Sequence, residues 1–288
     1  MLGSTCALAL AACNQARADV VVVSSGNASA NVDEATGTVT DLSVGGVTQA
    51  AQQSFFYRIG DTGPQQSFSS LTPTGVSTFP GSIFLNYAGP GFTVQLSYSL
   101  LGGSSNVSPA QLLNSLFISA ALPQSQIPLG SVVPADGQTP IDLHIFQYDH
   151  FTLDGSLSNN VLAANTASSE IDQSEIGQVP AIRSASANVV AIGDRYQIGP
   201  SPSILNSLTD GSPATLSDGT LQATGPVGPG NVEFALETDA ALGPFGVVPL
   251  VTIDTFNPGV PVPPAVWMGL TTLAAIAGIG AMRRIRTA

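Results

Sequence analysis

Apolar residues in this chain recur at every second position. Phe92, Val94, Leu96, Tyr98 and Leu100 alternate with Thr93, Gln95, Ser97 and Ser99. A period of two places all five apolar side chains on one face of an extended strand, whereas a helix would scatter them around its circumference. Further strand-like runs lie at 39–44, 55–59, 83–87, 143–151, 187–192, 232–236 and 248–253. Turn dipeptides separate them: Gly63-Pro64, Gly89-Pro90, Asp136-Gly137, Asp154-Gly155, Gly199-Pro200, Asp210-Gly211 and Gly228-Pro229. Many short strands divided by turns predict an all-β fold, an antiparallel β-sandwich. Helix is expected in two places only. Ser108-Pro109 has the form of a helix start running through Leu116, and Ser203 that of another through Leu208. The stretch 102–140, rich in Ser, Pro and Gln, reads as a long loop.

Composition removes several kinds of chemistry. The two cysteines, Cys6 and Cys13, both fall in the first 18 residues, so the body of the chain has no disulfide, thiolate nucleophile or cysteine metal site. Lysine is absent, and between positions 19 and 260 the only cations are Arg58, Arg183 and Arg195 against 19 carboxylates, a net charge of −16. That field repels nucleic acid and anionic lipid, so no nucleic-acid partner is expected. With 43% hydrophobic residues in the chain, a core can supply the stability.

The closing residues 260–288 have a different character. Val260, Pro261, Val262, Pro263 and Pro264 give an extended, accessible segment. The 18 residues 265–282 carry no charge. As a helix they would reach about 27 Å, close to a hydrocarbon core of about 30 Å. Trp267 suits the headgroup level near the entry, and Arg283, Arg284 and Arg286 would hold the far end in the cytoplasm. A single C-terminal transmembrane helix over 265–282 is therefore expected. In order and spacing this tail resembles the PEP-CTERM sorting domain in its V-P-x-P variant, with Val262 where the common form has Glu. The resemblance implies recognition by an exosortase, a membrane protease-transpeptidase of bacteria that typically make extracellular polysaccharide. It implies an exported precursor anchored in the inner membrane, then placed at the cell surface or in the extracellular matrix.

At the other end, the apolar run 2–12 and the triplet Ala16-Arg17-Ala18 read as a signal peptide, with cleavage before Asp19. No Lys or Arg precedes the run, so the true start is expected upstream. Leu10-Ala11-Ala12-Cys13 offers a second reading, a lipobox with Cys13 as lipidated N-terminus. The expected division is a signal peptide at 1–18, a β-sandwich ectodomain at 19–242, a tether at 243–259 holding at most one last strand, and the sorting domain at 260–288.

The stretch 144–155, HIFQYDHFTLDG, resembles a strand pair common in PEP-CTERM ectodomains, and 206–211 and 228–234 resemble the segments that follow it there. The likeness implies a β-sandwich and no particular activity. His144 and His150, with Asp142 and Asp149, form the one constellation suited to metal or acid–base work. On a continuous strand the two histidines share a face about 20 Å apart, so they cannot grip one ion, although Asp142 and His144 can share an edge. Phe146 and Tyr148 lie on the same face, and the histidines then flank a packed aromatic stripe. The Asp-Gly pairs at Asp136, Asp154, Asp210 and Asp218 lack the register of a calcium loop and read as turns. Asn27-Ala28-Ser29 and Asn106-Val107-Ser108 fit a glycosylation sequon by pattern alone. No hydrolase, zincin or nucleotide-binding motif occurs, so no catalytic, cofactor or metal residue is assigned.

Two functions are expected to compete. The first is a non-enzymatic surface or matrix protein. The second is a carbohydrate-binding module or weak glycan-active enzyme on the same sandwich, in which Tyr87, Tyr98, Tyr148 or Tyr196 would stack on sugar rings.

Overall fold

A computed structural model describes residues 19–106, 108–121, 140–155, 158, 160–165, 170–175, 186–191, 194–217, 226–243 and 246–257. In chain order the first strands are β1 (Val20–Ser25), β2 (Ala28–Asp33), β3 (Val39–Val44), β4 (Val47–Ile59), β5 (Gln66–Ser67), β6 (Thr72–Phe79), β7 (Ser82–Ala88) and β8 (Phe92–Leu101). They continue as β9 (Ala110–Ala120), β10 (Ile141–Phe151), β11 (Asn160–Asn165), β12 (Glu170–Glu175), β13 (Ser186–Ala191) and β14 (Arg195–Pro200). After the short helix α1 (Ser203–Thr209) come β15 (Val227–Gly230), β16 (Val232–Leu242) and β17 (Val247–Asn257).

The strands form two antiparallel sheets. Sheet A runs β1-β2-β3-β4-β10-β16-β14, with β5 added beside β4. Sheet B runs β15-β11-β12-β13-β17-β9-β8-β7-β6. One continuous core fills the space between them, drawing Phe55, Tyr57, Ile145 and Leu236 from sheet A and Leu96, Tyr98, Leu116 and Phe256 from sheet B. The alternation seen from Phe92 to Leu100 is the inward face of β8: each of its five apolar residues is buried. The all-β sandwich expected from the sequence is therefore present.

Three expectations need correction. The helix expected from Ser108 through Leu116 is strand β9, whose Ala110, Leu112, Asn114, Leu116 and Ile118 are buried at every second position. A serine before a proline can cap a helix, but the apolar period behind it is two, and sheet pairing with β8 and β17 decides. The same strand shortens the expected 102–140 loop. The ectodomain boundary at 242 falls too early: most of the expected 243–259 tether is β17, paired with β13 on one side and β9 on the other. The second expected helix is present as α1, although Pro202 and not Ser203 occupies its N-cap.

Among the described residues no helix is long and apolar enough to cross a membrane. The expected span 265–282, the expected sorting residues Val260, Pro261, Pro263, Pro264, Trp267, Arg283, Arg284 and Arg286, and the expected cleavage residues Ala16 and Ala18 lie outside the described residues. Asp19 immediately precedes β1.

Candidate functional site

The outward face of sheet A has its own small core. Phe56, Phe146, Tyr148 and Ala235 pack there against Ile204 and Leu208 of α1 and against Ala214 and Leu216. Buried polar groups tie this cover down. Glu233 accepts hydrogen bonds from the N–H groups of Ile204 (2.5 Å) and Leu205 (3.2 Å) and from the Tyr148 hydroxyl (2.8 Å). Glu237 accepts from the Leu216 N–H at 2.9 Å. Arg58 and Gln65 both donate to the Ala214 carbonyl, and the Arg58 guanidinium lies 5.6 Å from the Phe146 ring centre. The expected aromatic stripe between the histidines is thus real, and α1 covers it.

The cover stops at His144, where the face becomes polar. Strand register sets the arrangement: on β10, His144 lies opposite Arg58 of β4 and Asp239 of β16, and the next row sets Glu237 beside Arg195 of β14. His144 Nδ1 is 2.5 Å from Asp239 Oδ1 and 3.3 Å from Glu237 Oε1. Its Nε2 is 3.5 Å from Asp61 Oδ1 and 3.7 Å from Asp142 Oδ2. Arg195 reaches Asp239 at 3.3 Å and Glu237 at 3.8 Å, and Arg58 reaches Glu237 at 3.7 Å. Burial falls steadily outward: Glu237 is fully buried, Asp239 partly exposed, and the Asp142 and Asp61 side chains are 55% and 84% exposed. Burial pushes the Glu237 carboxyl above its ordinary range, against the pull of the Leu216 N–H and the two arginines. The result is one imidazole, four carboxylates and two guanidiniums graded from the sheet to solvent.

A second polar cluster lies between the sheets. Gln53 Nε2 bridges Asp149 Oδ1 (2.7 Å) on sheet A and Asp254 Oδ2 (2.9 Å) on sheet B. Asn114 donates to Asp254 Oδ2 and to Thr252, each at 3.0 Å; Thr252 donates to Gln147, and Gln147 to Asp149. A cavity of about 20 Å³ adjoins it beside Asn114, Gln147 and Thr252. Both aspartates are fully buried, and burial raises both, Asp254 to about 7.

Of the residues singled out in the sequence, Asp142 and His144 do share an edge. His150 stands apart, its Nε2 2.6 Å from Asn231 Oδ1, and Asp149 points into the core instead. Asp210 closes the end of α1 and accepts from the Ser212 N–H, a turn as expected; Asp136 and Asp218 lie outside the described residues. Tyr87, Tyr98, Tyr148 and Tyr196 are all buried, so none offers a ring to a sugar. Asp61, Arg58, Arg195, Glu237 and Asp239 carry no local motif. Only the pairing of β4, β10, β16 and β14 brings them to His144.

No protein-family model matches the chain, and no curated protein matches it. Among solved structures, a bacterial glucoamylase determined with acarbose superposes over 82% of this chain at a TM-score of 0.52 and 10% identity. The match spans 32% of the glucoamylase, so this chain corresponds to about a third of that protein. A protein from Synechocystis sp. PCC 6803 matches over 84% of this chain and 96% of its own length, at TM-score 0.49 and 11% identity. An inverting mannosidase from Bacteroides thetaiotaomicron matches over 82% of this chain and 28% of its own, at TM-score 0.38 and 10% identity. The likeness to the glucoamylase corrects the expectation of a non-enzymatic matrix protein. That expectation rested on a missing catalytic set, whereas the sheet register gathers ionisable side chains around His144, on a sandwich fold that the glucoamylase also contains within the matched third of its length.

Proposed function

We propose that this chain is an exported, carbohydrate-active protein whose sandwich engages a glycan at the open edge formed by Asp61, Asp142, His144, Asp239 and Arg195. The observation that carries the reading is the His144 cluster itself. A sugar presents hydroxyl pairs, and this edge opposes them with carboxylate acceptors, a guanidinium donor and an imidazole able to take or give a proton. The fold shared with the acarbose-bound glucoamylase supports the same reading. None of the five residues of this edge is Phe, Tyr or Trp, so recognition there goes through hydroxyl groups instead of stacking on such a ring. The ectodomain's net charge of −16 selects neutral or basic glycans over polyanions. Export and sorting follow from the two ends of the sequence: a signal peptide before Asp19, and a tail from Val260 that an exosortase would process at the inner membrane.

A glycan array probed with the purified protein, followed by turnover assays on the bound sugars, tests the proposal. Saturable binding of a neutral or amino glycan, lost at least tenfold in H144A/D239N with the fold intact, is expected. Absence of binding and turnover across neutral, basic and reducing sugars would overturn it. Deleting 260–288 tests the sorting part: the shortened protein should lose envelope retention.

A further inference from the structure

The two ring nitrogens of His144 have different surroundings, and the difference has a chemical meaning. Nδ1 is held by Asp239 at 2.5 Å. Nε2 has no hydrogen-bond partner although His144 is only 5% exposed. It faces Asp61 Oδ1 and Asp142 Oδ2 at 3.5 and 3.7 Å, and no hydrogen bond forms over either distance. A carboxylate that takes the Nδ1 proton fixes the tautomer whose Nε2 lone pair points away, which is how metal-binding histidines are oriented. The spacing also fits: two ligand atoms each about 2.1 Å from a tetrahedral ion lie about 3.4 Å apart. The three ligand atoms lie within 4.8 Å of one another.

We propose that His144 Nε2, Asp61 and Asp142 form a divalent-cation site of the zinc class, with Asp239 as the residue that positions the imidazole. The nitrogen ligand favours zinc over magnesium or calcium. Asp61 and Asp142 belong to two strand ends that are tied together, since the Gly60 N–H, one residue before Asp61, donates to the Asp142 carbonyl at 2.8 Å. Their exposure leaves the remaining coordination positions to water or to an entering hydroxyl group. The buried Glu237 and the two arginines stay on the Nδ1 side and are not ligands. This goes beyond the glycan reading and stands without it, because the ion is held by protein atoms alone.

The test is calorimetric titration of ZnCl2 into the full chain, stripped with EDTA and kept in millimolar Mg²⁺ to fill diffuse acidic binding. One zinc per chain is expected, with a zinc-dependent rise in Tm. D61N/D142N should lower the affinity at least 100-fold, and D239N should lower it about 10- to 100-fold. Asp61 and Asp142 are surface side chains, so D61N/D142N should melt like the wild-type chain in EDTA, and this comparison separates lost ligands from lost fold. Absence of stoichiometric zinc in the wild-type chain would overturn the proposal. So would a loss of less than tenfold in D61N/D142N, which would place any bound ion elsewhere. No sugar is present in either measurement, so failure here leaves the glycan reading to its own assay.

Discussion

Two carboxylates sealed between the sheets make this protein's stability depend on pH. Asp254 keeps its proton to about pH 7, while in the unfolded chain it loses it near the ordinary value of 3.8; Asp149 is raised as well. Between those limits the folded state holds more protons than the unfolded state. Stability is therefore complete at the acid end of the window and falls as pH rises from about 4 to about 7, by up to about 1.4 kcal/mol per pH unit for one such group. Urea unfolding measured at intervals from pH 4 to pH 8 should show this decline. D254N should flatten it at a cost of about 1 kcal/mol, because the amide oxygen can still accept from Gln53 and Asn114 while its NH₂ takes the position of the unpartnered Oδ1. D149N should cost more, about 1–3 kcal/mol. Both Asp149 oxygens accept hydrogen bonds, so an NH₂ there confronts a donor. None of this is legible in the sequence. Asp149 stands out there only as a neighbour of His150, and Gln53, Asn114 and Asp254 carry no motif. The same limit applies to His144: its contact with Asp142 spans two residues and can be foreseen, whereas Glu237 and Asp239 arrive by pairing with a strand over ninety residues away.

Helix α1 shows how an element can borrow what its own sequence lacks. Its N-cap position is Pro202, which supplies no side-chain hydrogen bond. Glu233 on β16 reaches across and accepts from the free N–H groups of Ile204 and Leu205, while also satisfying the Tyr148 hydroxyl. E233A removes the cap and orphans a buried hydroxyl, and should cost about 2–4 kcal/mol in thermal or chemical unfolding. Y148F leaves the cap in place and should cost about 1 kcal/mol. If the two variants were equally destabilised, the cap would contribute nothing. The helix is legible because Ser203 opens an apolar period, but its cap is not, since the acceptor is remote. Strand β9 is the converse. Its inward Leu112, Leu116 and Ile118 are in plain view, and their period of two outweighs the helix-start signal of the Ser-Pro pair before them.

The whole molecule depends on its last described strand. β17 lies inside sheet B, bonded along ten positions to β9 and along six to β13, and its Phe256 meets Phe151 in the core at 5.1 Å. A protein ending at residue 242 should fail to fold, because sheet B would be split in two and the core opened. One ending at residue 257 should show cooperative unfolding by near-UV circular dichroism. The sandwich architecture is legible from alternation and turns, since a sheet buried on one face imposes its period on the chain. The order of strands is not, because pairing partners leave no local trace. The placement of β17 also has a mechanical consequence. Tension applied through the chain beyond Asn257 would load two backbone ladders at once, along their length, so they would have to shear together instead of unzipping one bond at a time. A domain tugged from that side should resist as a unit and then rupture abruptly.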